Sequence, residues 1–228
     1  MKNFIDKTLN WSFYALVGFV PLILYPYTSE IFEFNKMVAV YILTVIIISS
    51  WTAKSIITKK IIFRRTIMDI PLVIFFASQL ISTFISIDMR TSIYGYYSRF
   101  HGGLLSTICY TLLYWAYVSN FNKFKTLKSI KFLIGSAIIV SIYGVLEHFG
   151  IDKNIWVQDV QNRIFSTLGQ PNWLAAWLVA LTPLAWTLTI LAKTRSDEAN
   201  GIPWNYFYYL LASLLFFFTF YPQGCAQH

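Results

Sequence analysis

The chain has 228 residues, 57% of them apolar and only 12% charged, where soluble globular domains run at roughly 45–50% and about 25%. Its 20 Phe, 15 Tyr and 8 Trp are more aromatic bulk than one small soluble core can bury. That balance excludes a disordered tail, a disulfide scaffold and a nucleic-acid module with a solvated basic face, and the net charge of +8 falls in short clusters between apolar runs, as on a membrane surface.

Seven apolar stretches follow one another: Trp11–Tyr27, Met37–Ala53, Ile70–Ile87, Gly102–Val118, Phe132–Phe149, Leu174–Ala192 and Tyr206–Tyr221. They predict an all-α, polytopic transmembrane helix bundle of about seven spans, a single transmembrane domain over residues 1–228. Several stretches sit at the short end of the roughly 17–25 residues a spanning helix needs. Buried core helices of that length would require an amphipathic shell, and none is left in the chain. A membrane β-barrel needs alternation of apolar and polar positions, which Val45-Ile46-Ile47-Ile48 and Leu214-Leu215-Phe216-Phe217-Phe218 lack.

Lys2 and Lys7 precede the first stretch, and Tyr25-Pro26-Tyr27-Thr28 stands where a small-x-small cleavage site would be needed, which reads as an uncleaved signal anchor. Gln79, beside Ser78, Ser82 and Thr83, is the main strongly polar site inside a span and predicts hydrogen bonding between helices. Pro21, Pro26, Pro71 and Pro183 lie within or at the ends of spans, where proline kinks or starts a helix. Cys109, in an apolar run, and Cys225, in the tail, form no CxxC pair.

Orientation follows from the basic residues, because positively charged loops resist translocation. With a cytoplasmic N-terminus, Lys2, Lys7, Lys54, Lys59, Lys60, Arg64, Arg65, Lys123, Lys125, Lys128, Lys131, Lys193 and Arg195 fall on the inner side. Only Lys36, Arg90, Arg99, Lys153 and Arg163 fall on the outer side. Thirteen against five, alternating through every loop, predicts the N-terminus inside and, with seven spans, the C-terminus outside.

The outer loops carry the remaining signal. Ser86–Gly103 holds Arg90, Arg99, His101 and several tyrosines, and Gly150–Trp173 ends in Arg163-Ile164-Phe165-Ser166-Thr167-Leu168-Gly169-Gln170-Pro171-Asn172-Trp173. A guanidinium offers a planar fork of donors suited to phosphate oxygens. A helix starting near Pro171 would aim its N–H groups at an anion beside Arg163. The competing reading is that these arginines snorkel to lipid phosphates and the aromatics form an interfacial belt. Residues 151–165 alternate apolar and polar positions at near-helical spacing and predict an interfacial helix. Glu147-His148 reads either as an acid–base pair or as a hydrated helix end, and adjacent helical residues face different ways.

The run Arg163-x-x-x-Thr167-x-Gly169-Gln170-Pro171-Asn172-Trp173-Leu174-Ala175 closely resembles the segment that opens a transmembrane helix in the O-antigen ligase and polymerase superfamily. Gly95-x-x-x-Arg99-x-x-Gly102 is similar to that family's outer loop before the fourth span, and Glu33-Phe34-Asn35-Lys36 to its element before the second. The resemblance implies inverting, metal-independent transfer of a glycan from a polyprenyl-diphosphate donor at the outer face of the inner (cytoplasmic) membrane. The acceptor would be another glycan, a lipid-linked core sugar or a protein hydroxyl, with no nucleic acid and no cofactor. It implies Arg99 and Arg163 as donor-diphosphate residues and Gln170 and Asn172 as residues orienting the loop and capping the helix; His101, two residues after Arg99, reads on its own position as a phosphate or proton-transfer contact or as a solvated loop histidine. The histidines are His101, His148 and His228, with no acidic pair at metal-ligand spacing.

Family members continue into a large outer loop with a catalytic histidine and further spans, so the resemblance implies that this chain is the N-terminal part of a longer ligase-like domain. The alternative is a membrane transporter of a small or lipid-linked substrate. It should show ionisable groups near mid-membrane, and no Asp, Glu, Lys or Arg falls at the centre of a predicted span.

Overall fold

The structure, a computed structural model, describes residues 1–28, 30–152, 154–155, 163–199 and 208–216. Every regular element among them is helical: α1 (Lys2–Gly18), α2 (Glu33–Thr58), α3 (Asp69–Phe84), α4 (Met89–Tyr94), α5 (Leu104–Asn120), α6 (Lys123–His148) and α7 (Pro171–Ala199), with single 3₁₀ turns at Val20–Leu22 and Ser166–Leu168. Residues 208–216 are also helical. Three helices, Glu33–Thr58, Lys123–His148 and Pro171–Ala192, are long and apolar enough to cross a membrane. At about 1.5 Å per residue even the shortest of them exceeds a ~30 Å hydrocarbon core.

Element boundaries depart from the apolar runs for local reasons. α1 starts at Lys2, well before Trp11, and ends at Gly18, because Pro21 has no N–H to extend the ladder. α2 begins at Glu33, since the Glu30 carboxylate accepts from the N–H groups of Phe32, Glu33 and Phe34 at 3.3, 2.6 and 2.6 Å. A carboxylate at that position satisfies orphan donors and complements the positive end of the helix. α6 starts at Lys123, because its lysine-rich first turns are good helix formers although they are not apolar. α7 runs through Pro183. The Thr182 hydroxyl bonds the Leu178 carbonyl and the Thr187 hydroxyl the Pro183 carbonyl, both at 2.8 Å, so polar side chains line the proline step.

The chain forms two compact units, Met1–Ile130 and Lys131–His228. In the first, ion pairs and hydrogen bonds show consecutive long helices running in alternate directions. Asp6 near the start of α1 meets Lys54 near the end of α2 at 2.8 Å, and Lys54 also donates to Asn120 at the end of α5 at 3.0 Å. Trp115 of α5 donates to Asp69 at the start of α3 at 3.1 Å. At the other end Tyr41 of α2 donates to the Phe100 carbonyl, just ahead of α5, at 2.6 Å. The basic groups of the N-terminus, the α2–α3 loop and the first turns of α6 therefore share one end of this unit. Arg99 lies at the other.

Leu9, Phe13, Ile47 and Ala116 are buried at its centre, with Phe13 edge-on to Tyr117 and Phe121 at 5.3 and 5.0 Å. Outward-facing apolar residues are numerous, among them Ile42 and Val45 of α2 and Val73, Ile74 and Ile81 of α3. Gln79 of α3 is half-buried. In the second unit the buried positions include Ile134, Ala137 and Val140 of α6 and Leu174, Leu178 and Ala185 of α7. The Tyr208 hydroxyl donates to the Lys131 carbonyl at 3.0 Å.

Candidate functional site

The residues singled out by sequence fall into two groups, one in each unit. Arg99 and His101 belong to the loop between α4 and α5. Asp88 starts that region as the N-cap of α4, accepting from the Arg90 and Thr91 N–H groups at 3.0 and 3.2 Å. Hydrogen bonds from the Thr91 hydroxyl and then its N–H hold the Asp88 carboxyl below the ordinary aspartate range. α4 stops at Gly95, whose φ of 87° and ψ of −165° are essentially restricted to glycine.

From Gly95 the chain closes on itself. The Tyr96 N–H donates to the His101 carbonyl at 3.0 Å, and the Arg99 and Phe100 N–H groups donate to the Tyr96 carbonyl at 3.0 and 2.9 Å. A Cβ on Gly95 would lie 2.1 Å from the His101 carbonyl oxygen, and one on Gly103 would lie 2.4 Å from the Gly95 nitrogen. Two backbones cross there with no room for a side chain.

This closed loop delivers two side chains to one carboxylate. Glu33, at the first position of α2, receives Arg99 Nε at 3.2 Å and His101 Nε2 at 3.0 Å on Oε2, with Arg99 Nη1 at 3.5 Å from Oε1. The Glu33 side chain is only 12% exposed, whereas those of Arg99 and His101 are 38% and 42% exposed. The Arg99 guanidinium also lies over the Tyr96 ring at 5.4 Å. Arg99 is thus gripped side-on by an acid and is not a bare fork turned outward, and Glu33 is a site residue the reading of the loop alone did not supply. The available signal was the acidic residue opening the second span.

Arg163, Gln170 and Asn172 lie in the second unit, ahead of and within α7. Arg163 is exposed, while Ile164, Phe165 and Ser166 directly after it are buried at 0, 2 and 0% exposure. The chain turns through Ser166–Leu168, reverses at Gly169 with φ 78°, and enters α7 at Pro171 as the position of that proline predicts. The Gln170 carbonyl accepts from the Trp173 and Leu174 N–H groups at 3.2 and 3.1 Å, so Gln170 holds the cap position through its backbone. Asn172 is instead the second residue inside the helix and exposed, two residues past the cap position.

Glu147 departs from both readings of the Glu147-His148 pair. It is fully buried, whereas His148 is exposed, so the two do not share a site. Glu147 Oε2 accepts from the Ser166 and Phe165 N–H groups at 2.7 and 3.2 Å, and the Ser166 hydroxyl donates to the Val140 carbonyl at 2.7 Å. Nearby, the Tyr143 hydroxyl donates to Asp152 at 2.7 Å. Of the interfacial helix expected at 151–165, residues 153 and 156–162 lie outside the described residues. Ile151 and Ile155 are exposed, and Ile164 is packed inside.

Comparison with protein families, with curated proteins and with solved structures finds no match.

Proposed function

We propose that the chain is a membrane glycosyltransferase, or the N-terminal part of one, that transfers a glycan from a polyprenyl-diphosphate donor to a glycan, lipid-core or protein acceptor in cell-surface polysaccharide assembly. In this reading seven spans cross the inner membrane, the lysine-rich end faces the cytoplasm, and the loops bearing Arg99 and Arg163 face outward. The acceptor hydroxyl oxygen bonds to the anomeric carbon and releases its proton to solvent as that carbon's bond to the diphosphate breaks. The lipid diphosphate leaves with the electron pair. A guanidinium held at the leaving phosphate stabilises the charge that develops there.

One observation carries the proposal: Arg163 stands exposed at the head of a tightly packed turn that leads straight into a proline-started helix, in the sequence context that resembles a lipid-linked glycan ligase. Arg99 shares its guanidinium with Glu33, so Arg163 is assigned the larger part in donor binding and Arg99 and His101 the supporting one. The test is transfer of a labelled glycan from a polyprenyl-diphosphate donor in membrane vesicles. Arg163→Ala should cut transfer by about a hundredfold or more while membrane insertion stays normal. Undiminished transfer by that variant would remove Arg163 from the mechanism and the proposal with it.

A further inference from the structure

A carboxyl group buried away from water is costly unless hydrogen bonds compensate it. Glu147, at 0% exposure near the C-terminal end of α6, is such a group, and the donors that reach it are main-chain N–H groups of another segment. Its Oε2 holds the amides of Phe165 and Ser166, while its Oε1 is buried with no hydrogen-bond partner. The side chain therefore acts as a fixed acceptor for one turn.

That turn is held from other directions as well. The Ser166 hydroxyl reaches back to the Val140 carbonyl, almost two turns earlier on the same helix as Glu147. Ser166 adopts φ 50°, a left-handed conformation that a non-glycine residue takes only when its surroundings enforce it. The side chains of Ile164 and Phe165 are buried alongside. Arg163 stands exposed immediately before this segment.

We propose that Glu147 is a positioning residue: its buried carboxylate clamps the Phe165–Ser166 turn and so sets where the Arg163 guanidinium stands ahead of α7. The proposal rests on the reading of Arg163 as a donor-binding residue, and it adds the device that makes that arginine a preorganised one. Removing the side chain strips two buried amides of their acceptor at once. A neutral amide of the same shape keeps one acceptor oxygen for the turn.

The experiment compares wild type, Glu147→Ala, Glu147→Gln, Arg163→Ala and the Glu147→Ala/Arg163→Ala double variant, each as the full chain in lipid nanodiscs. The first readout is amide hydrogen exchange of the peptide covering residues 163–170. Exchange there should rise about ten- to a hundredfold in Glu147→Ala, the range that leaving buried amides without an acceptor gives, and return most of the way in Glu147→Gln. The second readout is glycan transfer at varied polyprenyl-diphosphate donor. Glu147→Ala should lower kcat/KM for the donor about tenfold, as misplacing a group that acts on the developing charge does, and should cost nothing further once Arg163 is already Ala. Unchanged exchange in Glu147→Ala overturns the clamp. Faster exchange with full, additive losses in the double variant overturns the link to Arg163. Glu147-dependent exchange in a chain that transfers no glycan supports the clamp and sinks the transfer reading, so the two failures are told apart.

Discussion

Gly95→Ala tests whether the loop carrying Arg99 and His101 is built around a backbone crossing. The new methyl carbon would sit 2.1 Å from the His101 carbonyl oxygen and 2.5 Å from its carbon, against about 3.5 Å for a comfortable contact. Both neighbours are main chain, so no rotamer change relieves the overlap. The backbone itself must move by over an ångström. Alanine must in addition hold φ 87°, ψ −165°, a conformation costing of order 1–3 kcal/mol. Displacing the crossing also breaks the Tyr96 N–H bond to the His101 carbonyl, worth about 1 kcal/mol.

Together these set a local penalty of about 3 kcal/mol, or roughly a hundredfold in the open-to-closed ratio of the loop. Gly102→Ala is the matched control: φ is 83° there too, but a Cβ would meet nothing within 4 Å, so only the left-handed cost of about 1–2 kcal/mol applies. Amide exchange of residues 95–103 in lipid nanodiscs reads the difference directly. Gly95→Ala should open the loop about five- to thirtyfold more than Gly102→Ala while α2 and α5 keep wild-type protection. Equal exchange in the two variants would refute the crossing, and with it the account of how Arg99 and His101 reach Glu33.

Lys54→Ala should destabilise the first unit by about 1–3 kcal/mol, between an exposed pair and a fully buried one, because its ammonium is only 14% exposed and serves both Asp6 and Asn120. Denaturant titration in mixed micelles measures this, and a loss no larger than that of an exposed lysine such as Lys60 would show that the contacts contribute nothing. The Asp88 cap gives a pH dependence with a definite sign. Its carboxyl titrates below the ordinary aspartate value, so the stabilisation of α4 is complete above that value and is lost as pH falls through the depressed one. Exchange of the Arg90 and Thr91 amides, corrected for intrinsic rate, should rise on acidification in wild type and become insensitive to pH in Asp88→Asn; a wild-type profile in that variant would rule the cap out.

Periodicity and hydropathy made the helical character legible, because apolar runs without alternation leave a membrane chain little other choice. Helix ends were less legible. α1 and α6 extend through lysines that hydropathy counts against a span, and their positions follow from propensity and from partners elsewhere in the chain. Pro171 announced the start of α7 by its own ring geometry. Arg99 and Arg163 were visible as chemistry, but their partners were not. Glu33 opens α2 whereas Arg99 sits in the loop between α4 and α5, and nothing local in either segment encodes their meeting. Glu147 beside His148 looked like a polar helix end, and only the return of residues 164–166 against α6 shows that the acid is buried and the histidine is not.

The pairing of Asp6 with Lys54 bears on the order in which the protein is assembled. Asp6 emerges from the ribosome first, yet the ammonium that neutralises it arrives only after the whole of α2 has been made, and the amide that steadies this ammonium comes only at the end of α5. The amino-terminal helix therefore completes its docking late in synthesis, as the last α5 residues close over it, and this corner of the molecule is finished from its far end backwards.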